Sequence, residues 1–195
     1  MGYCKENYIG CSAESSNYEH NNVMSNGYEV DMGGDWNYKE NVDATIQYKD
    51  MFKKIGKTEG INVDWRLIAA ICEQESGFKK DAKVKGRNYT AYGLFQFIET
   101  TWKNCAPKGK EDPSNRSNTD AQGEAFTNLF KANLKKFEKA SSRNDQIALA
   151  IQAHHDGSVT GTTWSERKLS NEIQKDNESK SYVPNILKKY RKYCQ

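Results

Sequence analysis

The sequence predicts a predominantly α-helical domain with a short β-hairpin or loop segment, preceded by a polar N-terminal appendage. Apolar residues recur at helical spacing from about Val42 to the C-terminus, which is the pattern of amphipathic helices. Residues 1–42 are rich in Asn, Ser, Gly, Tyr and acidic residues and have no such period. A chain of 195 residues has room for one ordinary domain. We therefore expect an irregular appendage at 1–42 and one folded domain at 43–195.

The composition argues against several classes of protein. No stretch approaches the ~18 consecutive apolar residues of a transmembrane helix, so no membrane span is expected. The 4 Trp, 11 Tyr and 7 Phe residues supply core material and argue against a wholly disordered chain. The net charge of +3 is too small to indicate nucleic acid as a partner. Residues 1–40 contain two lysines and seven acidic residues, so the rest of the chain carries +8. This excess of positive charge in the rest of the chain would suit binding to an anionic polymer. Lysines that are simply exposed to solvent are, however, the commoner reason for an excess of positive charge.

The first two helices are expected between Ala44 and Gly77. The first runs from Ala44 to about Lys57. The second has Asp64 as its N-cap and continues from Trp65 to Glu75. Gly77 follows where a helix C-terminus favours a residue that tolerates positive φ. One face of this second helix carries Ile68, Ile71, Cys72 and Glu75.

A hairpin and a short helix come next. Residues 83–97 contain β-favouring Val, Tyr, Thr and Phe around Gly86, which predicts a turn or short hairpin leading into a loop. A short helix is expected from Thr100 to Cys105, followed by a polar loop from Asp112 to Asn118.

Three further helices complete the domain. Thr119 and Gln122 have the spacing of a capping box, which predicts a helix that begins at Thr119 and reaches about Lys139. Asn144 is predicted to cap the next helix, on which Ile147, Ile151 and His154 align before Gly157. The stretch from Ser158 to Ser179 is predicted to be irregular, and the last helix to begin near Ser181.

The cysteines do not form a metal-binding pattern. Their number is odd, there is no CxxC pair, and the three histidines are not spaced from them like zinc ligands. We predict no metal and no cofactor. Cys72 lies in an apolar helical stretch and is interpreted as a buried free thiol, and a bridge between Cys4 and Cys11 stays open.

Glu75 is the side chain best suited to chemistry. It continues an apolar helical face and lies at the negative end of the helix dipole. Burial and that dipole both favour the neutral acid, so we expect a raised pKa. A carboxylic acid that stays protonated near neutral pH can protonate the leaving group in glycosidic-bond cleavage. From periodicity alone, however, a Glu that turns to solvent or pairs with a lysine is the commoner case.

Four motifs in order add to this pattern. Glu75–Phe78 reads ESGF, Ala91–Gln96 reads AYGLFQ, Ala153–Gly157 reads AHHDG, and Glu178–Pro184 reads ESKSYVP. Their order and separation resemble the soluble lytic transglycosylase domain, which is related to goose-type lysozymes and has the approximate pattern ESGF, GLMQ, AYNAG and ETxxYVP. The resemblance covers about residues 50–193. It implies a mainly helical, lysozyme-like fold with a groove for the glycan strands of peptidoglycan.

The resemblance also implies roles for individual residues. Glu75 would be the general acid and then the general base, and Tyr182 would approach and hold it. The other implied substrate-binding residues are Ser76, Tyr92, Gly93, Gln96 and His155. Gly93 would let the backbone approach the sugar, and Gln96 would hydrogen-bond an N-acetyl group. In the third motif His154 and His155 replace the family's Tyr and Asn. The contact that the family's asparagine makes with substrate is therefore not expected unchanged, and a polar contact from His155 is expected in its place.

Other functions remain open at this point. A Cys–His peptidase would use Cys72 with His154 or His155, although Cys72 lacks the helix N-terminus that lowers a thiol pKa. A non-catalytic glycan-binding or structural part of a phage tail or secretion apparatus is a second alternative. Within the enzyme interpretation, a hydrolytic goose-type-like lysozyme needs a second carboxylate, for which Asp81, Glu99 and Asp156 are candidates. A lytic transglycosylase needs only one carboxylate and is favoured.

The expected location follows from the same resemblance. No signal peptide is visible, and we expect action outside the cytoplasm, at the cell wall or as part of a phage particle or conjugation machine.

Overall fold

Six α-helices, one 3-10 helix and a two-stranded hairpin account for the regular structure in the described part of the chain. The computed structural model describes residues 47–86, 88–169 and 177–194. The predicted appendage at 1–42, with Cys4 and Cys11, lies outside these ranges. The elements are α1 Lys49–Gly56, α2 Trp65–Ser76, β1 Lys83–Lys85, β2 Thr90–Tyr92, α3 Glu99–Cys105, a 3-10 helix Pro113–Ser117, α4 Thr119–Lys136, α5 Arg143–His155 and α6 Asn177–Cys194.

Helix α2 follows the local signals of its sequence. The Asp64 side chain accepts the Arg66 N–H, as an N-cap should. Gly77 ends the helix at φ 58 and its N–H donates to the Glu73 carbonyl. These bounds confirm the prediction to within one residue, and they place Glu75 in the last helical turn.

The hairpin is confirmed at the predicted place. Strands β1 and β2 are antiparallel, with Lys83 opposite Tyr92 and Lys85 opposite Thr90. The Gly86 N–H donates to the Tyr89 carbonyl at the turn (2.9 Å). After β2 the chain makes a tight turn, and Tyr92 pairs again with Phe97. The hairpin therefore delivers residues 93–96 to the centre of the domain.

Three predictions about the loop and the later helices need correction. The stretch from Asp112 to Asn118 contains the 3-10 helix, because Asp112 caps it and Pro113 suits a first helical turn. Helix α4 begins at Thr119, within one residue of the prediction, but its cap is Asn118, whose side chain accepts the Ala121 N–H, and not a box of Thr119 and Gln122. Helix α6 begins at Asn177, four residues before Ser181.

The cap of α5 is also corrected. Ser142 and not Asn144 caps it: the Ser142 hydroxyl accepts the Asp145 N–H (3.0 Å) and donates to the Asp145 carboxylate (2.6 Å). Ser142 and Asp145 have the spacing of a reciprocal cap, which satisfies two polar groups at once. Asn144 lies inside the helix.

Helix α2 lies in the core, in contact with α1 and α6, while α4 packs on α5. The predicted apolar face is confirmed, since Ile68, Ile71 and Cys72 are at most 1 % exposed. Aromatic rings continue the core toward the turn after β2, with Phe95 stacked on Phe126 at 4.1 Å. The large side chains that are completely enclosed include Trp102, Phe52, Phe95, Phe97, Phe126 and Phe130. None of the helices in the described ranges combines the length and apolar character needed to cross a membrane.

Candidate active site

Glu75 lies in the last turn of α2 with its side chain mostly buried. The side chain is 12 % exposed. The preceding turn of the same face is packed into the core through Ile71 and Cys72, so the carboxylate is held by a rigid element. It is also at the end of the helix where the dipole opposes negative charge. The alternative in which Glu75 turns to solvent is therefore wrong.

Tyr182 reaches this carboxylate from helix α6. Its ring is 3 % exposed, and its hydroxyl donates a hydrogen bond to Glu75 Oε1. Burial, followed by the nearby Glu75 carboxylate, raises the pKa of Tyr182 well above its ordinary value, so the phenol keeps its proton at neutral pH. Because Oε1 accepts this bond, the proton of a neutral Glu75 belongs on Oε2. The expected approach of Tyr182 to Glu75 is confirmed as geometry.

His154 is the second side chain beside the carboxylate. It comes from the last turn of α5, and its Nε2 lies 3.7 Å from Glu75 Oε1 and 3.1 Å from the Phe95 carbonyl oxygen. Burial, and then the neighbouring His155, lower the pKa of His154 to about 4, against a smaller opposite effect of the Phe95 hydrogen bond. The motif comparison gave the polar contact to His155 and assigned His154 no role beside Glu75, although His154 shares the buried face of Ile147 and Ile151.

His155 points to a different group. Its Nε2 lies 3.0 Å from the Ser179 hydroxyl, and its ring stacks on Tyr182 at 4.5 Å with 19° between the planes. His155 is otherwise exposed. It therefore braces the ring whose hydroxyl bonds Glu75, and its predicted contact with substrate stays a prediction.

Ser76 and Gly93 have structural partners that their predicted roles did not anticipate. The Ser76 hydroxyl donates to the Cys72 carbonyl within α2 (3.2 Å) instead of to Glu75. Gly93 has φ 87, and a Cβ there would lie 2.4 Å from Gln122 Oε1. The close approach that requires a glycine is thus made by the Gln122 amide, which also accepts the Leu94 N–H (2.5 Å).

Gln96 holds the turn after β2. Its backbone has φ 49. Its Nε2 donates to the Gly93 carbonyl (2.8 Å) and to the Ala82 carbonyl (3.2 Å). Both amide protons are therefore used within the protein, and the Gln96 Oε1 atom is buried. The predicted contact of Gln96 with an N-acetyl group stays a prediction.

Tyr92 lines a cavity at the base of the hairpin. The cavity measures about 310 Å³ and is also bordered by Lys83, Glu99 and Arg116. The Arg116 guanidinium lies 5.9 Å from the centre of the Tyr92 ring. Glu75 is not part of its lining, and the predicted contact of Tyr92 with substrate stays a prediction.

Two of the three candidates for a second carboxylate have other partners. Asp156 is 3 % exposed and accepts the Ser158 hydroxyl (2.8 Å). Glu99 is an exposed partner of Arg116 (3.5 Å). Asp81 is exposed.

Cys72 does not fit the role of a nucleophile. It is a free thiol, completely buried, and burial is the main cause that raises its pKa far above the ordinary value. A thiolate is the reactive form of cysteine, so the peptidase alternative loses its nucleophile. Across the described ranges, no three His, Cys, Asp or Glu side chains form a group that could hold a metal ion.

Comparison with known proteins identifies the family of the chain. A family model described as the transglycosylase SLT domain matches residues 50–177, which extend from α1 to the first residue of α6. The membrane-bound lytic murein transglycosylase F of Aeromonas salmonicida (strain A449) is 28 % identical over 142 residues, which cover 72 % of this chain and 25 % of that relative. The chain thus spans about a quarter of the length of the curated relative. Because this family model matches most of the chain, the chain is a member of the SLT transglycosylase domain family, with a mainly helical, lysozyme-like fold.

Proposed function

We propose that this chain is a lytic transglycosylase. It would cleave the β-1,4 bond between N-acetylmuramic acid and N-acetylglucosamine in peptidoglycan and leave a 1,6-anhydro end on the muramyl sugar. Family membership and the name of the Aeromonas relative support the reaction class. The observation that carries the proposal is the mostly buried Glu75 carboxylate, bonded through Oε1 by the Tyr182 hydroxyl.

Glu75 acts first as an acid. Partial burial and the helix C-terminus favour its protonated form. Tyr182 occupies Oε1, so the proton leaves from Oε2 to the glycosidic oxygen as the bond from that oxygen to the muramyl anomeric carbon breaks. The N-acetylglucosamine part departs with a new hydroxyl group, and positive charge develops on the muramyl ring.

Glu75 then acts as a base. The muramyl N-acetyl oxygen can stabilise the positive ring without a protein nucleophile. Glu75, now an anion that still accepts the Tyr182 bond, removes the proton of the muramyl 6-hydroxyl. The freed oxygen bonds to the anomeric carbon, and Glu75 is protonated again at the end of the cycle.

The lyase is favoured over a hydrolytic lysozyme for one reason. An inverting hydrolase requires a second carboxylate to activate water. Of the candidates, Asp156 accepts a bond from Ser158, Glu99 pairs with Arg116 and Asp81 is exposed. With a single acid–base residue, the sugar's own hydroxyl is the simplest nucleophile.

Substrate contacts and location extend the proposal. Glycan strands would contact the domain through Ser76, Tyr92, Gly93, Gln96 and His155. The site of action would be the cell wall, outside the cytoplasm. A phage tail, or a conjugation or secretion machine, would be the assembly that brings the domain there.

The products of digestion test the mechanism. Purified peptidoglycan is incubated with the chain, and the released muropeptides are examined by mass spectrometry. Anhydro ends, which lack the mass of one water, should predominate. Reducing ends as the main product would defeat the lyase assignment and point to a water-activating carboxylate. The matched variant Glu75→Gln keeps the shape but cannot supply a proton, so cleavage should fall by about 10²–10⁴-fold.

A further inference from the structure

The Nε2 atom of His154 is buried between two possible acceptors, the Phe95 carbonyl oxygen and Glu75 Oε1. A carbonyl oxygen can only accept, so the 3.1 Å contact with Phe95 places the proton on Nε2. The other ring nitrogen, Nδ1, is buried and has no hydrogen-bond partner among the described residues. A charged imidazolium would need an acceptor there. The geometry therefore favours the neutral Nε2–H form, in agreement with the lowered pKa of about 4.

The ring of His154 is fixed by its surroundings. The Phe126 ring packs edge-to-face against it at 5.4 Å, and the Phe97 ring does so at 6.3 Å. The ring is held so that Nε2 faces both the Phe95 carbonyl oxygen and Glu75 Oε1, which is 3.7 Å away. Contacts in active sites are commonly long without substrate and shorten in the complex.

We propose that His154 is a positioning residue that donates its Nε2–H to Glu75 when Glu75 becomes an anion. This inference rests on the function proposed above. When the glycosidic oxygen takes the proton from Oε2, negative charge appears on the carboxylate, and a closure of several tenths of an ångström would bring Nε2 into hydrogen-bond distance. His154 and Tyr182 would then both donate to Oε1, from α5 and α6 respectively. No proton is transferred by His154, which stays neutral throughout.

Several titratable groups surround this pair. Tyr182 faces the carboxylate from α6, and His155 neighbours His154 on α5. On α2 itself, Cys72 lies one turn before Glu75, and Glu73 is paired with Lys189 of α6 (3.1 Å). The raised pKa values of Cys72 and Tyr182 keep both of these groups neutral near pH 7.

Nitrogen NMR tests the inference without an activity measurement. The chain has three histidines, so the His154 signals of a ¹⁵N-histidine-labelled sample are assigned by their loss in His154→Phe. We expect a neutral Nε2–H ring between pH 5 and 8. Glu75→Gln should move its Nε2–H resonance, whereas Glu73→Gln should leave it in place. An Nδ1–H ring, an imidazolium at pH 6, or a resonance indifferent to Glu75→Gln would overturn the proposal.

Kinetics provide the second test. His154→Phe removes the donor but keeps an aromatic ring, and His154→Tyr restores a donor with the residue of the family pattern. Loss of a donor to the anion should lower kcat about tenfold with little change in KM. It should also shift the alkaline limb of the pH–rate profile, where activity falls as Glu75 loses its proton, to a pH higher by about one unit. His154→Tyr should recover most of both effects.

The two variants separate positioning from simple packing. A packing role would lower activity at every pH without moving the limb, and a folded His154→Phe variant with the wild-type limb and kcat would refute the proposal. If the wild-type chain does not cleave peptidoglycan, the proposed function fails. The NMR response to Glu75→Gln then decides the His154 contact alone.

Discussion

Replacing Tyr182 with Phe is the most direct test of the hydrogen bond between Tyr182 and Glu75. The change removes one hydroxyl, the donor to Glu75 Oε1, and leaves the ring that stacks on His155. Hydrogen bonds to charged groups contribute ~1.5–3 kcal/mol. A donor favours the carboxylate over the neutral acid. At ~1.4 kcal/mol per pH unit, loss of this bond should keep Glu75 protonated to a pH higher by about one to two units.

The assay is the pH dependence of kcat/KM on purified peptidoglycan. The protonated form of Glu75 starts the reaction, so activity falls as the pH rises and the proton is lost. In Tyr182→Phe the pH at which activity falls should be higher by about one to two pH units. Maximal turnover should decrease, because the Glu75 anion is less stabilised.

A matched control is available on the same pair of helices. The Tyr193 hydroxyl of α6 donates to Glu73 Oε2 of α2 at 2.8 Å. Tyr193→Phe therefore removes a bond of the same type between the same elements, two residues from Glu75. It should cost some stability in thermal unfolding and leave the alkaline limb unchanged. If the two variants move the limb equally, or if Tyr182→Phe does not move it, the hydrogen bond to Oε1 has no role in the proton chemistry.

Two further predictions concern the scaffold. Gly93→Ala should destabilise the fold by about 1–3 kcal/mol or more, because the residue has φ 87 and its Cβ would collide with Gln122. Gly157→Ala, where a Cβ meets nothing within 4 Å, is the control in urea unfolding, and equal stabilities would contradict this reasoning. Cys72 should resist alkylation in the native chain while the half-buried Cys105 reacts sooner, as peptide mass mapping would show, and Cys72→Ala should keep its activity. Labelling of Cys72 with loss of cleavage would revive the peptidase alternative.

Local signals explain what could be predicted from sequence. Helix α2 has a cap at Asp64, a regular apolar face and a glycine at Gly77, and each acts within a few residues of where it stands. Such a helix can be located before its neighbours are known. The same holds for the hairpin, whose β-favouring strands flank Gly86.

Contacts between distant residues explain what was missed. Gln122 has the spacing of a capping residue, yet its amide bonds the Leu94 N–H, 28 residues away, and the Lys80 carbonyl, 42 residues away. Tertiary partners decided its role over the local signal. His154 and His155 are adjacent, and only the packing of α5 decides which of them faces Glu75. The motif comparison chose His155 by position, while the apolar period of α5 indicated His154 as the buried one.

The last turn of α2 places two carboxylates in contrasting surroundings. Glu73 pairs with the ammonium of Lys189 (3.1 Å) and accepts the Tyr193 hydroxyl. Glu75, two residues on, meets the phenol of Tyr182 and the neutral imidazole of His154. An ammonium stabilises only the anion, whereas a phenol or a neutral N–H donates most strongly to the anion and still donates, more weakly, to the carbonyl oxygen of the protonated acid. The environment of Glu75 therefore suits a group that must lose and regain a proton in each cycle, and that of Glu73 suits an ion pair that fixes α2 on α6.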